Sequence, residues 1–137
     1  PMASIETIEG IGPKHGKALR KAGIKTTGAL LKEGGAKKGR KALAAESGCT
    51  ESQILEWVNR ADLMRVRGVG EEYSDLLEQS GVDTVKELRN RNAENLHAKM
   101  IETNIAKKGR IVRRPPSLGE VQRWVAHAKE LDPMVSH

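Results

Sequence analysis

An internal repeat constrains the fold of this chain more than any other feature of its sequence. Two Gly-x-Gly segments, Gly10-Ile11-Gly12 and Gly68-Val69-Gly70, occur in similar surroundings, and we call them the first and the second glycine turn. A constant interval across several matched features indicates duplication of one supersecondary unit. The interval between the two turns also separates three further matches: residues 23–27 with residues 81–85, Leu19 with Leu77, and Leu30 with Leu88.

Each repeat continues to a segment that carries a tryptophan. Thr50-Glu51-Ser52-Gln53 and Ser117-Leu118-Gly119-Glu120 are capping boxes, the signature of a helix start. Apolar residues follow each box at helical spacing, and they include Trp57 or Trp124. The two tryptophans lie further apart in sequence than the two glycine turns, so the second repeat holds extra residues. We place this basic insertion near residues 105–116, where consecutive prolines favour an extended loop.

Short-range signals indicate helices on both sides of the glycine turns. Pro13 suits the first position of a helix, and Gly23 suits its C-terminal cap. Thr26 or Thr27, and later Thr84, are candidate N-caps. No segment alternates strictly enough to predict a sheet. The sequence therefore predicts an all-α fold of two tandem helix-hairpin-helix units, residues 1–62 and 63–137, each ending in a Trp-containing helix.

The charge of the chain is divided unequally between the repeats. The net charge is +6 at pH 7, which favours polyanionic partners. Residues 10–41 carry ten basic side chains and one acidic side chain, and Lys14, Lys17 and Lys21 recur at helical spacing on one face. Residues 71–87, which we call the acidic face, carry six acidic side chains and one basic side chain.

The first glycine turn combines two features that favour a phosphate. Gly10 and Gly12 permit backbone angles that other residues avoid, and the turn leads into a helix N-terminus, where free N–H groups attract anions. We expect Ile11 to point inward and anchor the turn. The second glycine turn is expected to have the right backbone for an anion, but Glu71 and Glu72 follow it and repel a phosphate.

Two five-residue segments, residues 36–40 and residues 106–110, share the pattern Ala-Lys-Lys-Gly-Arg. As basic turns they are either a second phosphate contact or solvated loops, and the sequence leaves both interpretations open. The predicted nucleic-acid-binding residues are those of the first glycine turn, two lysines after it and these basic segments: Gly10, Ile11, Gly12, Lys14, Lys17, Lys37, Lys38, Arg40, Lys107, Lys108 and Arg110.

Other classes of site find little support in the sequence. Cys49 is the single cysteine, which excludes an intramolecular disulfide and fits a reducing, cytoplasmic setting. The four histidines have no metal-ligand spacing, and no catalytic set stands out. No apolar run approaches the roughly 18 residues of a membrane span. We expect a protein that is not an enzyme and that uses no metal, cofactor or membrane.

The glycine turns, the Gly-apolar-x-Thr segments that follow them and the two Trp segments carry a resemblance. They resemble the tandem helix-hairpin-helix motifs of bacterial DNA repair nucleases, DNA ligases and the C-terminal domain of the RNA polymerase alpha subunit. Over nearly its whole length the chain resembles a bacterial family of helix-hairpin-helix proteins of uncharacterised function. The resemblance implies DNA rather than RNA as the partner.

Two functions follow from these observations. The first is sequence-independent binding of a nucleic-acid backbone, with DNA favoured, through the first glycine turn. The alternative is a protein–protein interaction or scaffold module that uses the acidic face, either with another protein or by self-association.

Overall fold

A computed structural model describes residues 3–137 of the chain. Within these residues the fold has a short 3-10 helix, Ile5–Thr7, and eight α-helices but no β-strand, which confirms the all-α prediction. None of these helices is long and apolar enough to cross a membrane. The helices are α1 Gly12–Lys21, α2 Thr27–Gly34, α3 Lys37–Ser47, α4 Glu51–Leu63, α5 Glu71–Gln79, α6 Val85–Leu88, α7 Ala93–Ala106 and α8 Leu118–Ala128.

The chain divides into two compact units. The first unit is Pro1–Asp62 together with Met134–His137, and the second is Leu63–Pro133. Residues 1 and 2, which our sequence-based division assigns to the first unit, lie outside the described residues. The C-terminal residues group with the first unit because the Ser136 N–H donates to the Gly35 carbonyl at 2.9 Å.

Helix ends in the first unit follow the local sequence signals. Gly23 has φ +89°, and the hydrogen bonds from the N–H groups of Gly23 and Ile24 back to Arg20 and Leu19 end α1 as a Schellman motif. Thr26, rather than Thr27, caps α2, because its hydroxyl accepts the Ala29 N–H at 3.1 Å. At the start of α4 both bonds of the predicted capping box form between Thr50 and Gln53.

The same bonds recur in the second unit, at the interval of the sequence repeat. Gly81 and Val82 close the Schellman motif that ends α5, and Thr84 caps α6 through the Glu87 N–H. The backbone hydrogen bonds before the glycine turns also recur. In the first unit the N–H groups of Ile8 and Ile11 donate to the carbonyls of Ile5 and Ile8, and in the second unit those of Val66 and Val69 donate to the carbonyls of Leu63 and Val66. The α8 helix begins with the predicted capping box, formed by Ser117 and Glu120.

Each unit buries its tryptophan beside its own glycine turn. Trp57 and Trp124 are both 2% exposed. A Cβ atom placed on Gly10 would lie 3.7 Å from the indole Nε1 of Trp57, and one on Gly68 would lie 3.1 Å from that of Trp124. A side chain at Gly68 would therefore crowd the indole, whereas a Cβ at Gly10 would make an ordinary van der Waals contact with it.

The basic insertion is a loop anchored at several points, among them the Arg114 carbonyl, which accepts the Tyr73 hydroxyl at 2.7 Å, and the buried Pro116. It joins α7 to α8 over residues 107–117. The side chain of Asn104, buried at the end of α7, accepts the N–H groups of Ile111 and Val112 and donates to the Val112 carbonyl. Val112 is itself buried, so the loop is fixed by its middle while residues 107–110 stay exposed.

Candidate nucleic-acid interface

The first glycine turn has the backbone that its glycines predict. Gly10 has φ +92° and Gly12 has φ +61°, a region that residues with a side chain rarely adopt. Both glycines are exposed, and a Cβ on Gly12 would meet nothing within 4 Å. Ile11 between them is 1% exposed, as expected, so only its backbone is available to a ligand.

The turn opens directly onto the N-terminus of α1. The helix begins at Gly12, so Pro13 is its second residue rather than its first. The N-cap is Ile11, which has no side chain able to accept a hydrogen bond, and the first turn contains no acidic residue. The positive end of the helix dipole is therefore uncompensated by side chains at a place where the backbone is accessible.

The second glycine turn differs from the first in its backbone. Gly68 has φ +87° like Gly10, but Gly70 has φ −107°, where Gly12 has +61°. The α5 helix begins one residue later, at Glu71, and carries Glu71 and Glu72 in its first turn. These carboxylates compensate the dipole of α5 themselves, which weakens the attraction of this helix end for a bound anion.

Lysines extend from the first glycine turn along α1. Lys14 and Lys17 are exposed, and Lys17 and Lys21 line a shallow cleft of about 540 Å³ together with Pro13. Lys21 shares this face but is not among the residues that we predicted for the site. The helical spacing of the three lysines in the sequence is the signal from which Lys21 could have been added to the predicted site.

Glu6 and Arg20 complete the cleft as an ion pair. The Arg20 guanidinium donates to the Glu6 carboxylate at 2.9 and 2.8 Å. The hydrogen bonds from Arg20, followed by that from the Ser4 hydroxyl, hold the pKa of Glu6 at about 2. Because this pair is internally neutral, the positive charge of the cleft comes from Lys17 and Lys21.

Lys37 and Lys38 lie in the first turn of α3 and not in a loop. They are exposed, the N-cap Ala36 offers no side-chain hydrogen bond, and no acidic residue lies in that turn. Lysine side chains at a helix N-terminus add their positive charge to that of the dipole end. An anion is therefore attracted more strongly here than it would be by the same lysines in a solvated loop. The α3 helix packs against α1, so both lysines belong to the unit of the first glycine turn.

Arg40 is not available to a phosphate, although the sequence grouped it with Lys37 and Lys38. It is 3% exposed, and its guanidinium donates to the carbonyls of Gly34, Gly35 and Ser136 at 2.9, 2.8 and 2.6 Å. Burial lowers the pKa of this guanidinium from its ordinary value, an effect that the Glu51 carboxylate opposes. Arg40 therefore ties α2 to the C-terminal residues.

Lys107, Lys108 and Arg110 are exposed but belong to the second unit. They follow the C-terminus of α7, where cations stabilise the helix dipole. Segment 36–40 therefore begins a helix, whereas segment 106–110 ends one. Identical patterns of residues thus have opposite electrostatic relations to their helices.

The remaining candidate groups of the first unit serve packing. His15 stacks against Trp57 with ring centroids 5.1 Å apart, and its Nδ1 lies 3.8 Å from the Sγ of buried Cys49. Across residues 3–137, no three His, Cys, Asp or Glu side chains are grouped so that they could hold a metal ion.

Comparison with known proteins places the chain in a family. It belongs to the family described as a domain of unknown function, DUF4332, whose model matches residues 9–131. No solved structure matches the chain.

Proposed function

We propose that this member of the DUF4332 family is a non-enzymatic protein that binds the phosphate backbone of nucleic acid, with DNA as the preferred partner, through the first glycine turn. One observation carries the proposal: the α1 N-terminus has no side-chain cap and opens beside two exposed glycines. A phosphate there would accept hydrogen bonds from backbone N–H groups and compensate the helix dipole. Such contacts hold a duplex without reading its sequence.

Each unit is, in this proposal, a helix-hairpin-helix motif. Two observations support it. The hydrogen bonds before and after the glycine turns recur at the interval of the sequence repeat, and the first glycine of each turn lies next to the indole Nε1 of the tryptophan in its own unit. Only the first glycine turn is proposed to hold a phosphate of the nucleic-acid backbone, because the second turn has a different φ at its second glycine and is followed by two glutamates.

Side chains of the first unit strengthen the proposed contact. Lys14 and Lys17 flank the turn on α1, and Lys37 with Lys38 supplies a second uncapped helix N-terminus. Lys107, Lys108 and Arg110 remain candidates for a supporting contact from the second unit. Each phosphate neutralised by a lysine releases counterions, so affinity should fall steeply as salt rises.

Fluorescence anisotropy with labelled duplex DNA at two salt concentrations tests the proposal. The double variant Lys14→Glu, Lys17→Glu should bind about tenfold or more weakly and with a smaller salt dependence. The control is Lys86→Glu, Lys99→Glu, which makes the same change of charge at exposed positions of the second unit and should retain most of the affinity. Equal losses in both variants, or no binding by the unchanged protein at low salt, would refute binding at the first glycine turn.

A protein–protein role of the acidic face is the second candidate. Glu72 and Asp83 on this face are exposed, and their charge suits a basic surface on another protein or on a second copy of the chain. Sedimentation or size-exclusion measurements over a range of protein concentrations test self-association. A monomer at every concentration excludes self-association, and a concentration-dependent species that disappears on Glu72→Lys supports it.

A further inference from the structure

A pocket of about 410 Å³ lies beside the second glycine turn, between Gly68 and α8. Arg67 and Arg123 line it, and both are exposed. Within the part of the chain that the structure describes, neither guanidinium has a carboxylate partner within 4.0 Å. Two arginines that form no ion pair with any described residue therefore line one concave surface.

The corresponding surface of the first unit has the opposite arrangement of charge. In the sequence repeat Glu9 corresponds to Arg67, and in the aligned Trp helices Glu56 and Arg60 correspond to Arg123 and His127. Arg60 donates to the Glu9 carbonyl at 2.8 Å and to the Glu56 carboxylate at 3.3 Å. The first unit thus fills this place with its own ion pair, whereas the second unit has two arginines and a histidine there.

His127 also lines the pocket, and its hydrogen bond fixes which ring nitrogen can donate. Its Nδ1 accepts the backbone N–H of Arg67 at 3.0 Å. The proton of the neutral ring must therefore lie on Nε2, which makes that nitrogen a donor. The pocket then combines two guanidinium groups with one imidazole N–H.

Two carboxylates also line the pocket. Glu120 is already occupied, because both Nη atoms of Arg114 donate to it at 2.9 Å and the Ser117 N–H donates at 3.0 Å. The bonds from Arg114, followed by that from Ser117, hold the pKa of Glu120 at about 2. Glu130 is exposed and contributes one negative charge against the two arginines.

We propose that this pocket binds a phosphomonoester, with Arg67, Arg123 and His127 donating to its terminal oxygens. Three donor side chains match three terminal oxygens, and the two arginines outweigh the single charge of Glu130, so the pocket favours an anion. The volume lies within the usual range for small-molecule sites, which leaves room for an organic group beyond the phosphate. This site is independent of the proposed nucleic-acid contact at the first glycine turn.

Titration of the full chain with inorganic phosphate, 5′-AMP and adenosine, followed by ¹⁵N NMR, tests the proposal. The chain has two tryptophans, so two indole N–H signals report the two glycine turns separately. Phosphate and 5′-AMP should shift the Trp124 signal in a saturable way, whereas adenosine should leave it unchanged. A shift of the Trp57 signal would report the separate contact proposed at the first glycine turn. Equal affinities for inorganic phosphate and 5′-AMP would identify free phosphate as the ligand, whereas tighter binding of 5′-AMP would identify a nucleotide-like ligand.

Matched variants separate the pocket from general attraction of anions. Arg123→Gln and, independently, Arg67→Gln should each raise the Kd about tenfold, because each removes a charge-assisted contact. Lys99→Gln removes the same charge from an exposed position of α7 and should leave the Kd unchanged. Shifts at Trp57 alone, equal effects of the three variants, or no saturation by either phosphate would overturn the proposal.

Discussion

Replacing Arg40 by Met tests whether this arginine is a structural residue. The change keeps most of the aliphatic volume but removes three hydrogen bonds from a buried guanidinium to backbone carbonyls. The Gly35 carbonyl keeps a partner in the Ser136 N–H, so the carbonyls of Gly34 and Ser136 carry most of the loss. Hydrogen bonds from a charged donor contribute about 1.5–3 kcal/mol each to stability. The methionine variant no longer has to bury a charged guanidinium, and this gain offsets part of the lost hydrogen-bond energy. We therefore expect the free energy of unfolding to fall by about 3 kcal/mol.

Urea denaturation followed by tryptophan fluorescence measures this change, with Lys41→Met as the control. Lys41 is the next residue on α3 and carries the same charge, but it is exposed, so its replacement should change the stability by less than about 0.5 kcal/mol. A variant without residues 134–137 should lose part of the same stability, because it removes the Ser136 carbonyl. Similar stabilities for Arg40→Met and Lys41→Met would refute the structural role of Arg40.

Two further predictions concern the first unit. Gly12→Ala should lower the free energy of unfolding by about 1–2 kcal/mol because φ at Gly12 is +61°. Gly70→Ala is the control and should have little effect, because φ there is −107° and a Cβ at either glycine would meet nothing within 4 Å. Equal losses of stability for the two variants in urea denaturation would contradict this explanation. The pKa of Glu6 is lowered from 4.5 to about 2, so its ion pair stabilises the fold above pH 4.5 and loses this effect as the pH falls toward 2. The unchanged protein should therefore be more stable than Glu6→Gln at neutral pH, and thermal unfolding over a pH series should show the difference narrowing below pH 4.5.

Local signals in the sequence predicted the helix ends well. The hydroxyls of Thr26, Thr84 and Ser117 cap helices because the groups involved lie within one helical turn of one another. The buried position of Ile11 followed equally from the short turn that contains it. These caps could be predicted because donor and acceptor are neighbours in sequence, although the choice between Thr26 and Thr27 needed the structure.

Residues 36–40 show where such reasoning fails. Their pattern is the same as that of residues 106–110, yet one segment begins a helix and the other follows one. The burial of Arg40 depends on a carbonyl near the C-terminus, 96 residues away, and no local pattern contains that information. The φ angle of Gly70 could not be predicted either, because both turns have the same Gly-apolar-Gly pattern while α5 begins one residue later in its repeat than α1 does.

The charge reversal beside the two glycine turns has a structural reason. The core of the second unit is built from buried aliphatic residues, and the bonds around both turns join backbone atoms, so neither depends on the sign of nearby exposed side chains. The residues that differ act on the turn in opposite directions: Arg60 donates to the carbonyl of Glu9, whereas His127 accepts the N–H of Arg67. Because either bond can fix its turn, the exposed charges were free to diverge. Under our two proposals, the first unit therefore binds phosphate mainly through backbone N–H groups, and the second binds it through side chains.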